Sequence, residues 1–480
     1  MKRAAILIDR RSPVPLHRQL EAAFRNAILS GTLSPGERVL SSRELQTHLG
    51  VSRNTIMDAL DQLHAEGYLV TLRGVGTFVA SGVQKRSQAP AATTSGSIVV
   101  PSSSAAAFLA AHPLAANLEE TAPFRPGVPA LDLFPAAQFK RGFEPSYWTP
   151  RVLDYANAFG YEPLREAIAR RLQQTRGIVC SPEQVLIAGG AQSAFSLIVR
   201  VLLSGKDAAV VEEPGYSSIR AILLAHGARL IAAPVDGSGV DVASFQKRRA
   251  KLAYVTPSHQ YPTGAVLSLE RRFALLDWAE KHDAWIVEDD YDSEFNYTDH
   301  THPALQGLGD GRRVIYVGTF SKVLAPALRM AYLVIPPSLR SAFEAAQQVT
   351  TGTPSTMLQS ALASFMNDGY LGRHIVKMRR IYDERRRFVS ETLRGAGGAT
   401  FRIRDNRAGL HFIAELPATI HDAGFAKRAE ANGIIVPPLS SYFHEKPALN
   451  GIVIGYAATA LPAAKKAVET LADLADSALR

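Results

Sequence analysis

The stretch Val314-Ile315-Tyr316-Val317-Gly318-Thr319-Phe320-Ser321-Lys322 joins a short apolar run to a hydroxyl-rich turn that presents one lysine. Four consecutive apolar residues predict a short buried strand, and the glycine with the hydroxyl residues after it predicts a turn. A lysine in such a turn is most often a solvated surface group. Its role therefore depends on which residues stand at the ends of the other strands.

The rest of residues 124–480 alternates short apolar runs with helical segments. The apolar runs are 185–188, 208–211, 252–255 and 285–287, and the helical segments include 192–203, 216–226 and 269–282. This alternation predicts a large α/β domain with a mostly parallel central sheet. Ligands of such sheets bind beyond the carboxyl ends of the strands.

Glycines, acids and hydroxyl residues follow those strand ends. Gly189–Ser193 opens a helix, whose backbone N–H groups attract a phosphate. Glu288–Asp292 follows the run 285–287, and its acids could alternatively form a metal site or a solvated turn. Arg329 stands seven residues after Lys322.

Pyridoxal 5'-phosphate needs such a set of residues: a lysine for a Schiff base, an acid for the pyridine nitrogen and donors for the phosphate. The order of glycine loop, Pro262–Gly264, acid and lysine resembles fold-type I pyridoxal-phosphate proteins, the aspartate aminotransferase class. The resemblance implies that Lys322 is the catalytic residue and forms the internal aldimine. It also implies that Asp289 pairs with the pyridine nitrogen.

The same resemblance implies roles for further residues. Tyr291 would bond the phenolic oxygen of the cofactor, Tyr216 would stack on its ring, and Tyr155 would reach the phosphate from a partner subunit. The other phosphate ligands would be Gly190, Ala191, Gln192, Thr319, Ser321 and Arg329. No metal is expected.

The chain departs from working aminotransferases at two points. Tyr261 stands before Pro-Thr-Gly, where those enzymes commonly have asparagine. Neither 433–436 nor 449–455 contains the arginine that binds a substrate carboxylate in those enzymes. Arg402, Arg404 or Arg407 could replace it, so whether an effector carries an acid group stays open.

Residues 12–80 predict a small helical unit. Leu16, Leu20, Ala27 and Ile28 recur at helical spacing. Ser41-Ser42-Arg43-Glu44 matches a capping box at the start of a second helix. A third helix follows the Gly50-Val51 turn with Ser52 as its cap, and two β-prone runs flank Arg73-Gly74. The unit is therefore predicted to be a winged helix-turn-helix.

This unit is predicted to bind double-stranded DNA. A major-groove surface would be formed by Ser52, Arg53, Asn54 and Thr55. Phosphates or the minor groove would be met by Arg43, Arg73 and Gly74. Residues 1–90 hold 12 lysines and arginines against seven acidic residues, so more than half of the net charge of +9 lies there. A three-helix protein-binding module is the alternative.

The N-terminal blocks Pro15–Leu20, Gly31–Gly36, Ser41–Leu45, Gly50–Thr55 and Glu66–Leu69 resemble the GntR-type winged helix. Joined to an aminotransferase-like domain, they resemble the MocR subfamily of transcriptional regulators, which shares an aromatic residue at position 261. The resemblance implies a homodimer that binds a DNA operator and senses pyridoxal phosphate itself or a small amino compound. The alternatives are an active aminotransferase with a DNA-binding domain, and a repressor whose large domain is only a scaffold.

The length of 480 residues exceeds what one hydrophobic core organises. Residues 81–123, rich in Ser, Ala, Thr and Pro in their first part, predict a flexible linker between the domains. Their second part, 105–123, is rich in alanine and could alternatively form a helix that leads into the large domain. A single cysteine, Cys180, excludes an internal disulfide framework. No run of about 18 apolar residues and no signal-peptide core is present, so a cytoplasmic protein without membrane contact is expected.

Overall fold

The computed structural model describes residues 6, 8–82, 102–111, 122–144, 148–154, 157–298, 303–396, 400–405 and 407–479. The chain divides into two compact units, Met1–Val100 and Pro101–Arg480. Most of the predicted linker, residues 83–101 and 112–121, lies outside the described residues. Among the described residues, no helix is long and apolar enough to cross a membrane.

The N-terminal unit is a three-helix bundle with a hairpin. Its elements are α1 (Leu16–Leu29), α2 (Ser42–Leu49), α3 (Arg53–Ala65), β1 (Leu69–Leu72) and β2 (Gly76–Val79). The two strands are antiparallel. Leu20, Phe24 and Leu63 belong to a buried core that all three helices share. The predicted winged helix-turn-helix is confirmed.

Side-chain caps fix where α2 and α3 begin. The Glu44 amide donates to Ser41 Oγ at 3.3 Å, and the Glu44 carboxylate accepts from the Ser41 amide at 2.7 Å. Ser52 Oγ accepts from the Thr55 amide at 3.2 Å. Each cap satisfies a backbone donor that the helix itself leaves unpaired, which stabilises the turn between α2 and α3.

Part of the segment 81–123 is helical, as the alanine-rich residues from 105 onward allowed. Residues Ser103–Ala111 form α4. This helix packs against α9 (Ser217–Ala225), and Ser104 Oγ donates to the Ala225 carbonyl at 2.8 Å. The segment is rich in alanine, whose small side chain favours helix and lets two helices approach closely. Local composition therefore separates this segment from the polar residues before it.

The large unit alternates helices and strands as predicted. Its other helices are α5 (Ala136–Lys140), α6 (Pro150–Leu153), α7 (Glu162–Arg176), α8 (Ala191–Leu202), α10 (Leu269–His282), α11 (Arg340–Thr350), α12 (Thr356–Asn367), α13 (Tyr370–Ala396), α14 (Asp422–Ala431) and α15 (Leu461–Leu479). Its strands are β3 (Val185–Ala188), β4 (Ala208–Glu213), β5 (Arg229–Asp236), β6 (Gly239–Val240), β7 (Leu252–Val255), β8 (Trp285–Asp290), β9 (Val314–Thr319), β10 (Ala331–Val334), β11 (Arg402–Arg404), β12 (His411–Glu415) and β13 (Gly451–Gly455).

Eight of these strands form the central sheet, in the order β3-β10-β9-β8-β7-β4-β5-β6. Neighbours from β9 to β5 are parallel, whereas β10 runs antiparallel to both β3 and β9. The strands predicted at 185–188, 208–211, 252–255, 285–287 and 314–317 are all present. Since β3, β7, β8 and β9 point the same way, the residues that follow them meet at one edge of the sheet.

A second, antiparallel sheet is built from β11, β12 and β13. One face of β12 and β13 shares a hydrophobic cluster with α13 and α15. The amide of Gly455 at the end of β13 donates to the Phe124 carbonyl at 2.9 Å. The segment at 124–127 is thereby held beside Lys322, which places a backbone loop over the sheet edge.

Candidate functional site

A cavity of about 410 Å³ opens at the carboxyl ends of β3, β8 and β9. Its lining includes most of the residues that were predicted to bind the cofactor, namely Ala191, Gln192, Tyr216, Asp289, Tyr291, Thr319, Ser321, Lys322 and Arg329. Gly190 precedes Ala191 as the N-cap of α8. Tyr155 lies outside the described residues. The topology thus brings together residues that are up to about 140 positions apart in the sequence.

Lys322 stands half-buried at the floor of this cavity. Its Nζ donates to the Gly127 carbonyl at 2.7 Å. Gly127 has a φ of +72°, and a Cβ there would lie 3.0 Å from Nζ. Burial lowers the pKa of the Lys322 amine, although Asp292 and Asp289 oppose that shift. The neutral amine, which is the nucleophilic form, is therefore more accessible here than on the surface.

The acids on and after β8 fall into separate environments because successive side chains of a strand alternate between faces. Glu288 accepts from the amides of Leu305 and Gln306 at 2.7 and 2.8 Å. Asp290 accepts from Tyr316 Oη and pairs with Arg176. Only Asp289 of these three lines the cavity. The three strand acids thus have different partners and do not face one shared site.

Asp289 is buried and has one neutral hydrogen-bond donor, the hydroxyl of Tyr254, at 2.5 Å. Burial raises the pKa of the Asp289 carboxyl to about 7, although that hydrogen bond opposes the shift. A buried carboxylate is costly without a cationic partner. A protonated ring nitrogen in the cavity would supply that partner and restore the ionised form.

The opposite end of the cavity suits a phosphate. Gly190 has a φ of +95° and no side chain caps the start of α8. L side chains rarely adopt this φ, and a Cβ at position 190 would be in contact with the Arg329 guanidinium carbon at 3.5 Å, so Arg329 lies directly beside the start of α8. A free helix N-terminus beside a guanidinium binds an anion through N–H groups and charge. With Lys322 and Asp289, this donor set fits pyridoxal phosphate.

Aromatic side chains form one wall of the cavity. The ring of Tyr261 meets the rings of Tyr216 and Tyr291 edge to face, each at 5.9 Å between centroids. Its hydroxyl lies 3.0 Å from the hydroxyl of Tyr442. Aminotransferases commonly have asparagine at this position. Here Tyr261 provides an aromatic contact surface instead.

Behind this wall, His259 Nδ1 lies 3.0 Å from Asp292 Oδ2 and 3.0 Å from the Tyr291 hydroxyl. His411 lies beside them, and a ligand atom from each of His259, Asp292 and His411 falls within 4.8 Å of the others. His411 Nε2 is 3.1 Å from the Pro262 carbonyl, and burial lowers the pKa of the His411 ring to about 3. The neutral ring adds no charge to the cavity.

The three arginines considered for an effector carboxylate face elsewhere. Arg404 pairs with Glu415, and Arg402 lies 3.8 Å from the same carboxylate. Arg407 donates to the Tyr297 carbonyl at 3.2 Å. None of them lines the cavity within the described residues.

Several cavity residues escaped the sequence analysis: Arg125, Gly127, Tyr254 and His411. Tyr254 lies inside a predicted strand and has the pattern of an ordinary core aromatic. Arg125 and Gly127 reach the cavity only because β13 holds their segment in place. The motif Arg125-Pro126-Gly127, which joins a cation to two turn residues, was the one local signal.

The predicted DNA surface of the N-terminal unit is exposed. Arg53 and Asn54 occupy the first turn of α3 with solvent-exposed side chains. Ser52 and Thr55 bond to each other, with 2.7 Å between their hydroxyl oxygens. Arg43 is exposed on α2, and Arg73 with Gly74, φ +77°, forms the exposed tip of the hairpin. The geometry leaves Arg53 and Asn54 free to contact base edges, while Ser52 and Thr55 are engaged in the cap.

Comparison with known families matches both units. Residues 145–449 match the model of aminotransferase class I and II, and residues 16–79 match that of bacterial regulatory proteins of the gntR family. The large unit resembles the kynurenine aminotransferase of Pyrococcus horikoshii, solved in complex with PMP, with a TM-score of 0.70 and 26% identity. That match covers 75% of this chain and 92% of the enzyme, and it supports pyridoxal phosphate as the cofactor.

Two regulators match nearly the whole chain. The probable rhizopine catabolism regulatory protein MocR of Rhizobium meliloti is 37% identical over 94% of this chain and 92% of its own. The pyridoxine biosynthesis transcriptional regulator PdxR of Corynebacterium glutamicum is 33% identical over 94% of each. Since both family models match and both regulators are more than 30% identical over 94% of the chain, the chain belongs to the MocR subfamily of GntR-type, DNA-binding transcriptional regulators.

Proposed function

We propose that this DNA-binding regulator senses pyridoxal phosphate, or a small amino compound that reacts with it, at Lys322 of the large unit. The observation that supports this most is the shared cavity of Lys322, Asp289 and the uncapped start of α8. A domain that served only as a scaffold would have no use for a half-buried amine opposite a buried acid. The pair is costly to bury and is explained by a ligand.

In this proposal Lys322 would hold the cofactor covalently and Asp289 would pair with its ring nitrogen. Tyr291 would bond the phenolic oxygen and Tyr216 would cover the ring. The phosphate would be held at the start of α8 by Gly190, Ala191, Gln192, Thr319, Ser321 and Arg329, with Tyr155 added by a partner subunit. When bound, pyridoxal phosphate supplies an aldehyde that exchanges between amines, so a second amine can displace Lys322.

The side chains of the cavity prepare this exchange. Burial keeps the pKa of Lys322 low, so the released amine need not take up a proton from water. The hydroxyl of Tyr254 holds one oxygen of Asp289, which fixes the orientation of the carboxylate. Gly127 offers its carbonyl to the Lys322 amine at 2.7 Å and thereby gives the freed side chain a defined place.

Regulation requires that the effector favour one arrangement of the protein over another. We propose that release of Lys322 shifts the balance between two arrangements of a homodimer, each reading its operator through Arg53 and Asn54. Arg43, Arg73 and Gly74 would contact phosphates or the minor groove. Light scattering gives the molar mass of the protein in solution. If the protein is a monomer at working concentrations, a homodimer whose subunits share the cofactor site is excluded.

A second candidate is an active aminotransferase that carries a DNA-binding domain. The complete set of Lys322, Asp289 and Arg329 and the likeness to the kynurenine aminotransferase favour it. Tyr261 and the missing C-terminal arginine disfavour it. Steady-state turnover of an amino donor with a keto acid at ordinary enzyme rates would establish this second function.

The test of the proposal uses the full-length protein loaded with pyridoxal phosphate and a panel of amines. The visible absorption of the bound cofactor is expected to change with some amines and not with others. Lys322→Ala should lose the absorption of the covalently held cofactor while its affinity for operator DNA without effector stays near the wild-type value. If Lys322→Ala still responds to the same amines in DNA binding, sensing at Lys322 is refuted.

A further inference from the structure

The cavity holds more cationic than anionic side chains. Among the described residues that line it, the cations are Lys322, Arg329 and Arg125, and the only carboxyl group is that of Asp289. A bound cofactor would account for three of these four groups, because in the proposed function Arg329 would hold its phosphate, Lys322 its aldehyde and Asp289 its ring nitrogen. Arg125 is left without a counterpart.

The backbone around Arg125 is held firmly. The Phe124 amide donates to Thr459 Oγ1 at 2.9 Å, and the Phe124 carbonyl accepts from the Gly455 amide at 2.9 Å. The Phe124 side chain is fully buried. A Cβ at Gly455 would lie 2.4 Å from the Arg125 carbonyl oxygen, so the two segments touch backbone to backbone. The position of Arg125 at the cavity is therefore fixed before any ligand arrives.

The side chain of Arg125, by contrast, is exposed and has no hydrogen bond or ion pair with another described residue. Its charge acts on the Lys322 amine and helps to lower the pKa of that group. A guanidinium that is positioned by its backbone but unpaired is suited to bind an anion bidentately. Because Arg125 and Lys322 line the same cavity, one ligand could carry both an anionic group for Arg125 and an amine for Lys322.

We infer that Arg125 is the acid-binding subsite of the effector, and that the effector is an amine that also carries a carboxylate. This inference rests on the proposed sensing at Lys322 and specifies what is sensed. Arg125 takes the role that the missing C-terminal arginine has in aminotransferases, but from the N-terminal segment of the large unit. The distance between the two ends of the effector then selects among amino acids of different length.

The experiment compares amino acids with their amides, which keep the shape and lose the charge. Glycine, L-alanine, β-alanine and 4-aminobutyrate are titrated against the cofactor-loaded protein, each beside its amide. The readout is the change in visible absorption, corrected for the fraction of each amine that is neutral. At least one acid is expected to bind roughly 10- to 100-fold more tightly than its amide, the range for a hydrogen bond to a charged group.

Arg125→Gln should remove the preference for acid over amide, and Arg125→Lys should keep part of it. The matched control is Arg402→Gln, which removes an equal charge from a side chain that is 81% exposed. That control should retain the full preference. Cofactor affinity of Arg125→Gln is measured separately without amine, because the charge of Arg125 also helps to lower the pKa of the Lys322 amine.

Three results would overturn the inference. Equal binding of every acid and its amide would leave sensing at Lys322 intact and refute the role of Arg125. Loss of the cofactor itself in Arg125→Gln would assign the arginine to the cofactor instead. If no acid and no amide alters the spectrum, the proposed sensing fails and the inference fails with it.

Discussion

The N-terminal unit carries its candidate DNA contacts on exposed side chains, whereas the large unit encloses its candidate cofactor contacts in a cavity. Arg53 and Asn54 project from the first turn of one helix. Lys322 and Asp289 belong to different strand ends and meet only in the folded sheet. Exposed groups stay hydrated and keep their ordinary pKa values, whereas enclosed groups lose their hydration and have shifted pKa values. Substitutions in the two regions should therefore have different consequences.

The largest expected effect is at the enclosed carboxylate. Asp289→Asn should weaken binding of pyridoxal phosphate by about 2 to 5 kcal/mol, since it removes one partner of a buried charged pair. The affinity is measured by titrating pyridoxal phosphate into the cofactor-free protein and recording the visible absorption. Asp310→Asn is the matched control, because that side chain is exposed and pairs only locally with Arg312. Unchanged affinity in Asp289→Asn would contradict the assignment of the ring nitrogen to this residue.

The second effect concerns pH. Burial raises the pKa of Asp289 from 3.8 to about 7, so above pH 4 the unfolded state binds fewer protons than the folded state. The unfolding free energy of the cofactor-free large unit should therefore fall as pH rises from about 4 to about 7. Each pKa unit corresponds to about 1.4 kcal/mol, which limits the contribution of this group to about 4 kcal/mol.

Denaturant unfolding at several pH values checks this prediction. Asp289→Asn should reduce the loss of stability with pH but not abolish it, because burial also raises the pKa of Glu212 to about 7. A cofactor-loaded sample should show a smaller loss, since a cationic ring nitrogen favours ionised Asp289. A wild-type stability that rises between pH 4 and pH 7 would mean that other groups outweigh these two carboxyls.

The exposed region should respond in DNA affinity without losing stability. Arg53→Ala or Asn54→Ala should cost about 1 to 3 kcal/mol of discrimination between operator and altered operator. Arg73→Ala should weaken binding to all duplexes alike and lower the salt dependence. Anisotropy titrations on an operator selected from random duplexes separate the two patterns. An unchanged operator preference in Arg53→Ala would remove α3 from the major groove.

The smallest effect is expected at the capping box. Ser41→Ala should lower the unfolding free energy of the N-terminal unit by about 1 kcal/mol, because it unpairs a backbone donor at the start of α2. Thr47→Ala on the same helix is the control, since its hydroxyl only bonds back to the Arg43 carbonyl. Equal effects of both substitutions would show that the cap adds nothing beyond helix propensity.

The contrast between the regions also explains what could be predicted from the sequence. Caps such as Ser41 and Ser52 and the strand ends at Asp289 and Lys322 depend on neighbours in the chain, and local patterns located them. The roles of Asp289 and Lys322 followed from the family resemblance. Tyr254 and Arg125 reach the cavity through strand pairing and through the contact of Phe124 with Gly455. Such long-range contacts cannot be read from local patterns, and the motif Arg125-Pro126-Gly127 predicts a turn but not its place at the cavity. The helix at Ser103–Ala111 was left open as a possibility, because an alanine-rich segment next to polar residues fits a helix or a linker equally well.

Control of DNA affinity by chemistry at Lys322 is the link that joins the two units in the proposed function. Its most direct test measures operator affinity of the full-length, cofactor-loaded protein with and without an amine that changes its absorption. The affinity is expected to change for the wild type and for Arg402→Gln, and to stay constant for Lys322→Ala. The same change in Lys322→Ala, or no change in the wild type while its absorption shifts, would contradict this link.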